Sequence, residues 1–370
     1  MSRSAIDKIN RPYDLPKVKQ APEIWGGGLM LIPMTLILAA SLLACAAPST
    51  PPMPAETPTQ NPTETPAPST TPTLVSTPKP PPTPTPTSTP TQVTPTATLV
   101  PAAVFKPSLE KRYEVSVEEA IVYGTGGTKD GGRMELLLDL ALPDTGTDGP
   151  RPLLVHIHGG SFTTGSRWPQ WDAAERGWVA ASIDYRLAGD EPLPGQRVEK
   201  FFYAIGGESG SARDRAFVAS LEDTLIALDY LLSRADELNI DTNRIVLKGE
   251  SAGAFTALTV AYCADKFEVS GPTIAAVIDF AGGISETFCG GATAIDPGEA
   301  AVFIAHGTED TVVSYTRALS IVDGATAAEI TYEFHPLEGV GHDWLGADQS
   351  RMVSLTYEFL DRALYKVKDK

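Results

Sequence analysis

The pentapeptide Gly249-Glu250-Ser251-Ala252-Gly253 lies between two stretches of opposite character. Arg244 to Lys248 reads as a short β-type run, and Ala254 to Cys263 supplies helix-forming and apolar residues. A strand that turns directly into a helix at a serine bracketed by glycines has very little conformational freedom. Bulky side chains at positions 249 and 253 would clash, and the backbone of the serine is strained. That strain holds the Ser251 hydroxyl above the sheet edge, where the following helix N-terminus favours negative charge. The five-residue pattern alone arises by chance in many chains. The strand before it and the helix after it make Ser251 the expected nucleophile, in the arrangement called a nucleophile elbow.

A serine hydroxyl is a poor nucleophile near neutral pH and needs a base, nearly always histidine, which a carboxylate orients. Five histidines are present: His156, His158, His306, His335 and His342. In the architecture that carries this elbow, the acid and then the base follow the serine in the chain. His156 and His158 precede it and drop out. His342 sits in a glycine-bracketed loop after the apparent strand Ile330–Phe334, where an α/β sheet presents its chemistry. His335 lies at the end of that strand, before Pro336, and reads as a packed or surface residue. His306 ends the apolar run 301–305 and reads as an anchor for the turn before the acid. His342 is therefore the expected base.

For the acid, the run His306-Gly307-Thr308-Glu309-Asp310 places two adjacent carboxylates after a strand and a glycine turn. Adjacent residues usually point in different directions, so one at most meets His342. Asp310, which precedes Val312-Val313, is the better candidate, and Glu309 reads as solvated. Asp279, at the end of the expected strand Thr273–Asp279, is a rival acid one strand earlier.

Acyl-transfer chemistry also requires donors for an oxyanion. The strand-like run Leu153–His158 enters Gly159-Gly160-Ser161, where glycine lets backbone N–H groups converge on one spot. Gly160 or Ser161 is expected to supply one donor and Ala252 the other. His158 is expected to shape this loop through backbone bonds and not to react.

Taken in order, His158-Gly159-Gly160-Ser161, Asp184-Tyr185-Arg186-Leu187, Leu221-Glu222-Asp223, the elbow, His306 to Asp310 and Gly341-His342 resemble the α/β-hydrolase superfamily. Within it they are similar to the carboxylesterase, lipase and hormone-sensitive-lipase-like group. Glu250 looks more like carboxylesterases and bacterial feruloyl or acetyl esterases than like hormone-sensitive lipases, which usually carry Asp there. Two departures stand out: Ala254 replaces a glycine found in many relatives, and the connector Gly189–Asp214 is longer than usual. The resemblance implies an α/β fold with a mostly parallel central sheet, helices on both faces, and serine hydrolase chemistry without a cofactor.

The N-terminal part suggests where such chemistry takes place. A basic stretch carrying Arg3, Lys8, Arg11, Lys17 and Lys19 precedes the apolar core Leu29–Ala44, which is short for a comfortable membrane span. It ends Leu42-Leu43-Ala44-Cys45, which resembles a bacterial lipobox with Cys45 as the lipidated residue; a plain N-terminal anchor is the competing reading. Residues 46–101 are almost wholly Pro, Thr, Ser and Ala and cannot bury enough surface to fold. Extended at about 3.1 Å per residue, they would reach roughly 170 Å as a stalk, with threonines dense enough to invite O-glycosylation. The expected organisation is a signal segment over 1–45, a stalk over 46–101 and one catalytic domain over 102–370.

Within that domain the pattern predicts strands at Tyr113–Tyr123, Met134–Leu142, Leu153–His158, Val179–Asp184, the elbow strand, Thr273–Asp279, Val302–Ala305 and Ile330–Phe334. Helices are expected near Gln170–Gly177, over Ala216–Leu238, after the elbow, and over Arg351–Val367. The run Gly206 to Ser211 looks like an elbow fragment, but it lacks the strand and the closing glycine and reads as loop. Of the three cysteines, Cys263 and Cys289 could pair in an oxidising compartment. The helix carries Cys263 away from the active edge while Cys289 starts from it, so the pairing stays open. No metal-ligand, phosphate-loop or dinucleotide spacing occurs, so neither metal nor cofactor is expected. A net charge of −17 argues against nucleic acid or anionic membrane as partner.

The chain thus reads as a surface-tethered serine ester hydrolase acting on small acyl esters or acylated polysaccharides. A serine peptidase of prolyl-oligopeptidase type is an alternative, although nothing here is long enough to supply that family's propeller. A catalytically silent binding module of the same fold is a second. The aromatic connector residues Phe201, Phe202 and Tyr203 are expected to wall the pocket, with packing on the side of the domain as the plainer alternative.

Overall fold

Apolar alternation in the first half of the domain and continuous apolar runs in the second signal different sheet environments, half-exposed antiparallel and fully buried parallel. The computed structural model describes residues 104–146, 149–343 and 348–365. Cys45 with its signal segment, and the Pro/Thr tract 46–101, lie outside the described residues.

The sheet has eight strands: β1 (Val115–Gly127), β2 (Arg133–Pro143), β3 (Arg151–Ile157), β4 (Val179–Ile183), β5 (Ile240–Glu250), β6 (Ala276–Phe280), β7 (Ala301–Gly307) and β8 (Tyr332–Leu337). Their spatial order is β1-β2-β4-β3-β5-β6-β7-β8. The β1/β2 and β2/β4 pairs are antiparallel, and every later pair is parallel. Strands β3, β4, β6 and β7 are buried throughout, as both-face coverage demands. Among the described residues seven α-helices accompany them: α1 (Trp171–Ala174), α2 (Glu199–Ala204), α3 (Ala212–Ser233), α4 (Ala235–Leu238), α5 (Ala252–Tyr262), α6 (Thr316–Ala327) and α7 (Gln349–Tyr365). One core cluster packs α3, α5 and α6 on one side of the sheet, and a second packs α1 and α7 on the other.

Several boundaries move for identifiable reasons. The long helix starts at Ala212, not Ala216, because Ser211 and Asp214 form a capping box: Asp214 N–H donates to Ser211 Oγ at 3.1 Å and Ser211 N–H to Asp214 Oδ2 at 3.0 Å. It ends at Ser233 and is followed by the single turn α4, so the expected helix to Leu238 is two pieces. The helix expected over 170–177 is one turn, closed where Gly177 adopts φ +101°. Strand β8 runs on through His335 and Pro336, past its expected end. Proline is tolerated there because β8 is the last strand of the sheet and pairs only with β7.

A buried cluster ties the antiparallel end to the helices. The fully buried Arg186, just after β4, donates from Nε and Nη2 to Asp223 at 2.6–3.0 Å and from Nη2 to Glu222 at 2.6 Å. Its Nη1 reaches the carbonyls of Gly127 at 2.8 Å and Leu193 at 3.1 Å. This fork links β1, the connector and α3, which accounts for the two sequence motifs that contain it.

Candidate active site

The carboxyl ends of β3, β5, β7 and β8 meet at one edge of the sheet, the usual place for chemistry in an α/β protein. At the end of β5 the chain turns so tightly that Ser251 takes φ 50°, ψ −116°, while its N–H is held by the Phe280 carbonyl at 2.8 Å. The turn depends on its glycines. A Cβ on Gly249 would overlap the Gly253 backbone, and one on Gly253 would overlap the Ile157 carbonyl of β3. Non-glycine φ values above zero are costly, so this strain is held by the packing around it.

His342 and Asp310 arrive from the loops after β8 and β7. The Ser251 hydroxyl donates to His342 Nε2 at 3.0 Å, and His342 Nδ1–H donates to Asp310 Oδ2 at 2.7 Å. The Val312 and Val313 amides each donate to Asp310 Oδ1 at 2.8 Å. Burial alone would raise the Asp310 pKa, but the His342 bond and the two amides outweigh it and hold the carboxylate below its ordinary range. His306 Nε2–H donates to the Val313 carbonyl at 2.9 Å and lies 3.3 Å from Asp310 Oδ2, so it anchors the acid turn. Glu309 does not contact His342; its amide donates to Val340 O at 3.0 Å.

The rival Asp279 is fully buried in β6, accepts the Gly282 amide at 2.8 Å, and leaves Oδ2 unpartnered. Burial pushes its pKa up to about 7 against the Gly282 hydrogen bond. It makes no hydrogen bond to His342. His335 is half-buried in β8 and bonds Glu333 at 2.7 Å, away from the serine.

After β3, Gly160, Ser161 and Phe162 all adopt left-handed φ, at 104°, 56° and 62°. The Gly160 conformation is one that only glycine adopts cheaply, and a Cβ there would also overlap the Thr164 carbonyl. The N–H groups of Gly160 and Ser161 take no acceptor among the described residues. Ala252 opens α5, so its N–H has no intrahelical partner. His158 donates from Nδ1 to Gly159 O at 2.7 Å and stacks on Tyr185 at 4.2 Å between ring centroids. The Tyr185 hydroxyl in turn donates to the His158 carbonyl at 3.0 Å. The loop is thus shaped from within by His158, in a position from which its ring does not reach Ser251.

Two groups of residues near the serine went unforeseen. Glu250 accepts from His156 Nε2–H at 2.9 Å, and His156 Nδ1 accepts from Ser182 Oγ at 3.0 Å. Burial works against charge on Glu250, yet His156 outweighs it and keeps the carboxylate ionised below its usual range. Chain order alone gave His156 no role. The second group walls a cavity of about 220 Å³ at Ser251: Phe162, Phe217, Phe255 and Val312, with Arg213 and Arg317 at its sides. No motif marked these, because they come from separate loops and helix starts.

The connector corrects one expectation. Phe201 and Phe202 are buried, and Phe201 packs edge-on against Phe217 and Phe267, while Tyr203 faces solvent. None of the three lines the cavity. The plainer alternative holds, because α2 turns these rings into the core beside α3. Cys263 and Cys289 form a disulfide with Cα atoms 5.5 Å apart, the chain after β6 descending to the end of α5.

A family model described as BD-FAE matches residues 202–287, which include the elbow. Over 130 residues the chain is 30% identical to a probable N-octanoylanthranilate hydrolase of Rhodococcus erythropolis, covering 34% of this chain and 25% of that protein. Over 128 residues it is 32% identical to the hormone-sensitive lipase of Mus musculus, covering 33% and 14%. The matched segments span a quarter or less of these two relatives. Among solved structures, an esterase of Thermogutta terrifontis superposes with a TM-score of 0.50 at 21% identity, covering 71% of this chain and 96% of the other. That likeness concerns the fold. The chain has the α/β-hydrolase fold, and the segments that match known sequences are similar to the BD-FAE family model, an N-octanoylanthranilate hydrolase and a hormone-sensitive lipase.

Proposed function

We propose that this protein is a serine carboxylic-ester hydrolase that works through an acyl-enzyme. The observation that carries the reading is the continuous chain Ser251–His342–Asp310, with both hydrogen bonds at 3.0 Å or less. Ser251 Oγ attacks the ester carbonyl while His342 Nε2 takes its proton, and Asp310 stabilises the imidazolium. The carbonyl oxygen becomes an anion between the N–H groups of Ala252 and Gly160 or Ser161. His342 then protonates the departing alcohol. Water, deprotonated by the same nitrogen, releases the acid. A relative whose name denotes hydrolysis of an N-acyl bond supports the acyl-enzyme step, and another named a lipase supports the ester as substrate. A cavity of about 220 Å³ suits a small acyl or alcohol part, with acylated polysaccharide an open alternative for the rest of the substrate.

Labelling by a fluorophosphonate tests the core of the reading: the wild type reacts and Ser251→Ala does not. Asp310→Asn is expected to lower turnover on a chromogenic ester by about 10³–10⁴-fold, whereas Asp279→Asn stays within about tenfold of wild type because Asp279 does not touch His342. The reverse ranking would assign the acid to β6.

The same proposal places the catalytic domain outside the cell, held by lipid on Cys45 and spaced by the 46–101 tract. The lipobox pattern supports it, as does the Cys263–Cys289 disulfide, a bond suited to an oxidising compartment. Cys45→Ser should remove the lipid mass from the N-terminal fragment and shift the protein out of the membrane fraction. Unchanged mass and fractionation would refute the anchor.

A further inference from the structure

We infer that the catalytic cavity is built for an ester that also carries an anionic group, most simply a carboxylate, bound by Arg213 and Arg317. The inference rests on the ester-hydrolase reading and names the substrate class of that site. The chain carries a net charge of −17, yet both arginines line the cavity at Ser251 and no Asp or Glu is among the residues that line it. The Arg213 side chain makes no ion pair or hydrogen bond among the described residues. Arg317 donates to the Ile284 carbonyl at 3.1 Å and lies 3.6 Å from the exposed Glu286, a weak solvent-screened pairing that leaves donors to spare.

Neither placement serves helix stability. Arg213 is the second residue of α3 and Arg317 the second residue of α6, so both sit in a first turn where cations oppose the helix dipole. A guanidinium is always charged and presents a planar fork that matches a carboxylate. Phe162 and Phe217 add apolar surface to the same cavity, while Arg213 and Val312 are exposed, so a charge pair formed there keeps contact with solvent. An ester bound at Ser251 with a free carboxylate on its acyl or alcohol part would therefore have its charge met, while its uncharged analogue would leave the arginines merely solvated.

Matched ester pairs test this. On the acyl side, 4-nitrophenyl hydrogen glutarate is compared with its methyl-capped diester. On the alcohol side, 4-(butyryloxy)benzoate is compared with its methyl ester, and a sulfonate analogue separates carboxylate recognition from general anion attraction. The wild type should favour the acidic member of at least one pair by about tenfold or more in kcat/KM, as a charged hydrogen-bonded contact allows. Arg213→Gln should shrink that ratio by about tenfold, chiefly through KM, and Arg213→Glu should invert it. Equal rates within each pair, or a ratio unmoved by Arg213→Gln, overturns the inference. If no ester is turned over and fluorophosphonate does not label Ser251, the hydrolase reading itself fails. Calorimetric binding of monomethyl glutarate to wild type and Arg213→Gln then still decides the arginines, since loss of binding in the variant supports the anion site and equal binding or none refutes it.

Discussion

Asp279 has the sequence position of a candidate acid but makes no hydrogen bond to the candidate base His342. It ends a central strand, is fully buried, and has its pKa pushed up to about 7. A raised folded-state pKa means the folded protein holds a proton that the unfolded chain releases near 3.8. Its contribution to stability is therefore full below about pH 4, declines as pH rises toward 7, and is lost above that. Asp279→Asn removes the titration. The variant should gain stability relative to wild type between pH 5 and 8 in denaturant midpoints, with little difference at pH 4. Parallel pH profiles for the two proteins would contradict this account. Asp310 is the opposite case, held ionised by His342 and two amides, and the contrast separates the two acids more firmly than chain order does.

At the level of elements, the Arg186 fork and the connector carry the predictions. Arg186 pairs with the buried Asp223 and Glu222, and burial still pushes the Asp223 carboxyl up against the Arg186 charge and hydrogen bonds. Arg186→Met strands both carboxylates and should cost about 3–5 kcal/mol in denaturant unfolding. A loss under about 1 kcal/mol would mean the cluster relaxes into solvent. In the connector, Phe201→Ala should cost about 3–5 kcal/mol while leaving acyl-chain preference as it was. Tyr203→Ala should change neither measurably, since its ring faces solvent. A shifted acyl preference in either variant would return the connector to the pocket wall. These segments were partly legible: Asp184-Tyr185-Arg186 and Glu222-Asp223 stood out as motifs, but not that one arginine joins them. The aromatic run stood out too, but periodicity does not say on which side of α2 it turns.

At the scale of the whole domain, the Cys263–Cys289 bond closes a loop of sequence separation 26 between α5 and the segment after β6. Loop-closure entropy puts its contribution at about 3–4 kcal/mol. The Cys263→Ala/Cys289→Ala variant should lose about that much in thermal or denaturant unfolding and keep its catalytic rate at temperatures where it stays folded. Loss of activity with unchanged stability would mean the bond acts on the site and not on the domain.

Ser251, Asp310, His342 and the glycine loop after β3 could be read before any coordinates, because each follows a strand that enters a short loop in the order the architecture requires. Such local signals survive in sequence: a glycine where a Cβ would collide, a polar residue where a strand ends. The sequence raised the Cys263–Cys289 pairing but left it open, and it gave no sign of the Glu250–His156 pair or the Arg213/Arg317 cavity. Each joins residues from separate elements, and their meeting depends on how helices and loops pack over the sheet. Local pattern set the chemistry at the end of each strand; packing decided which distant side chains share a wall with it.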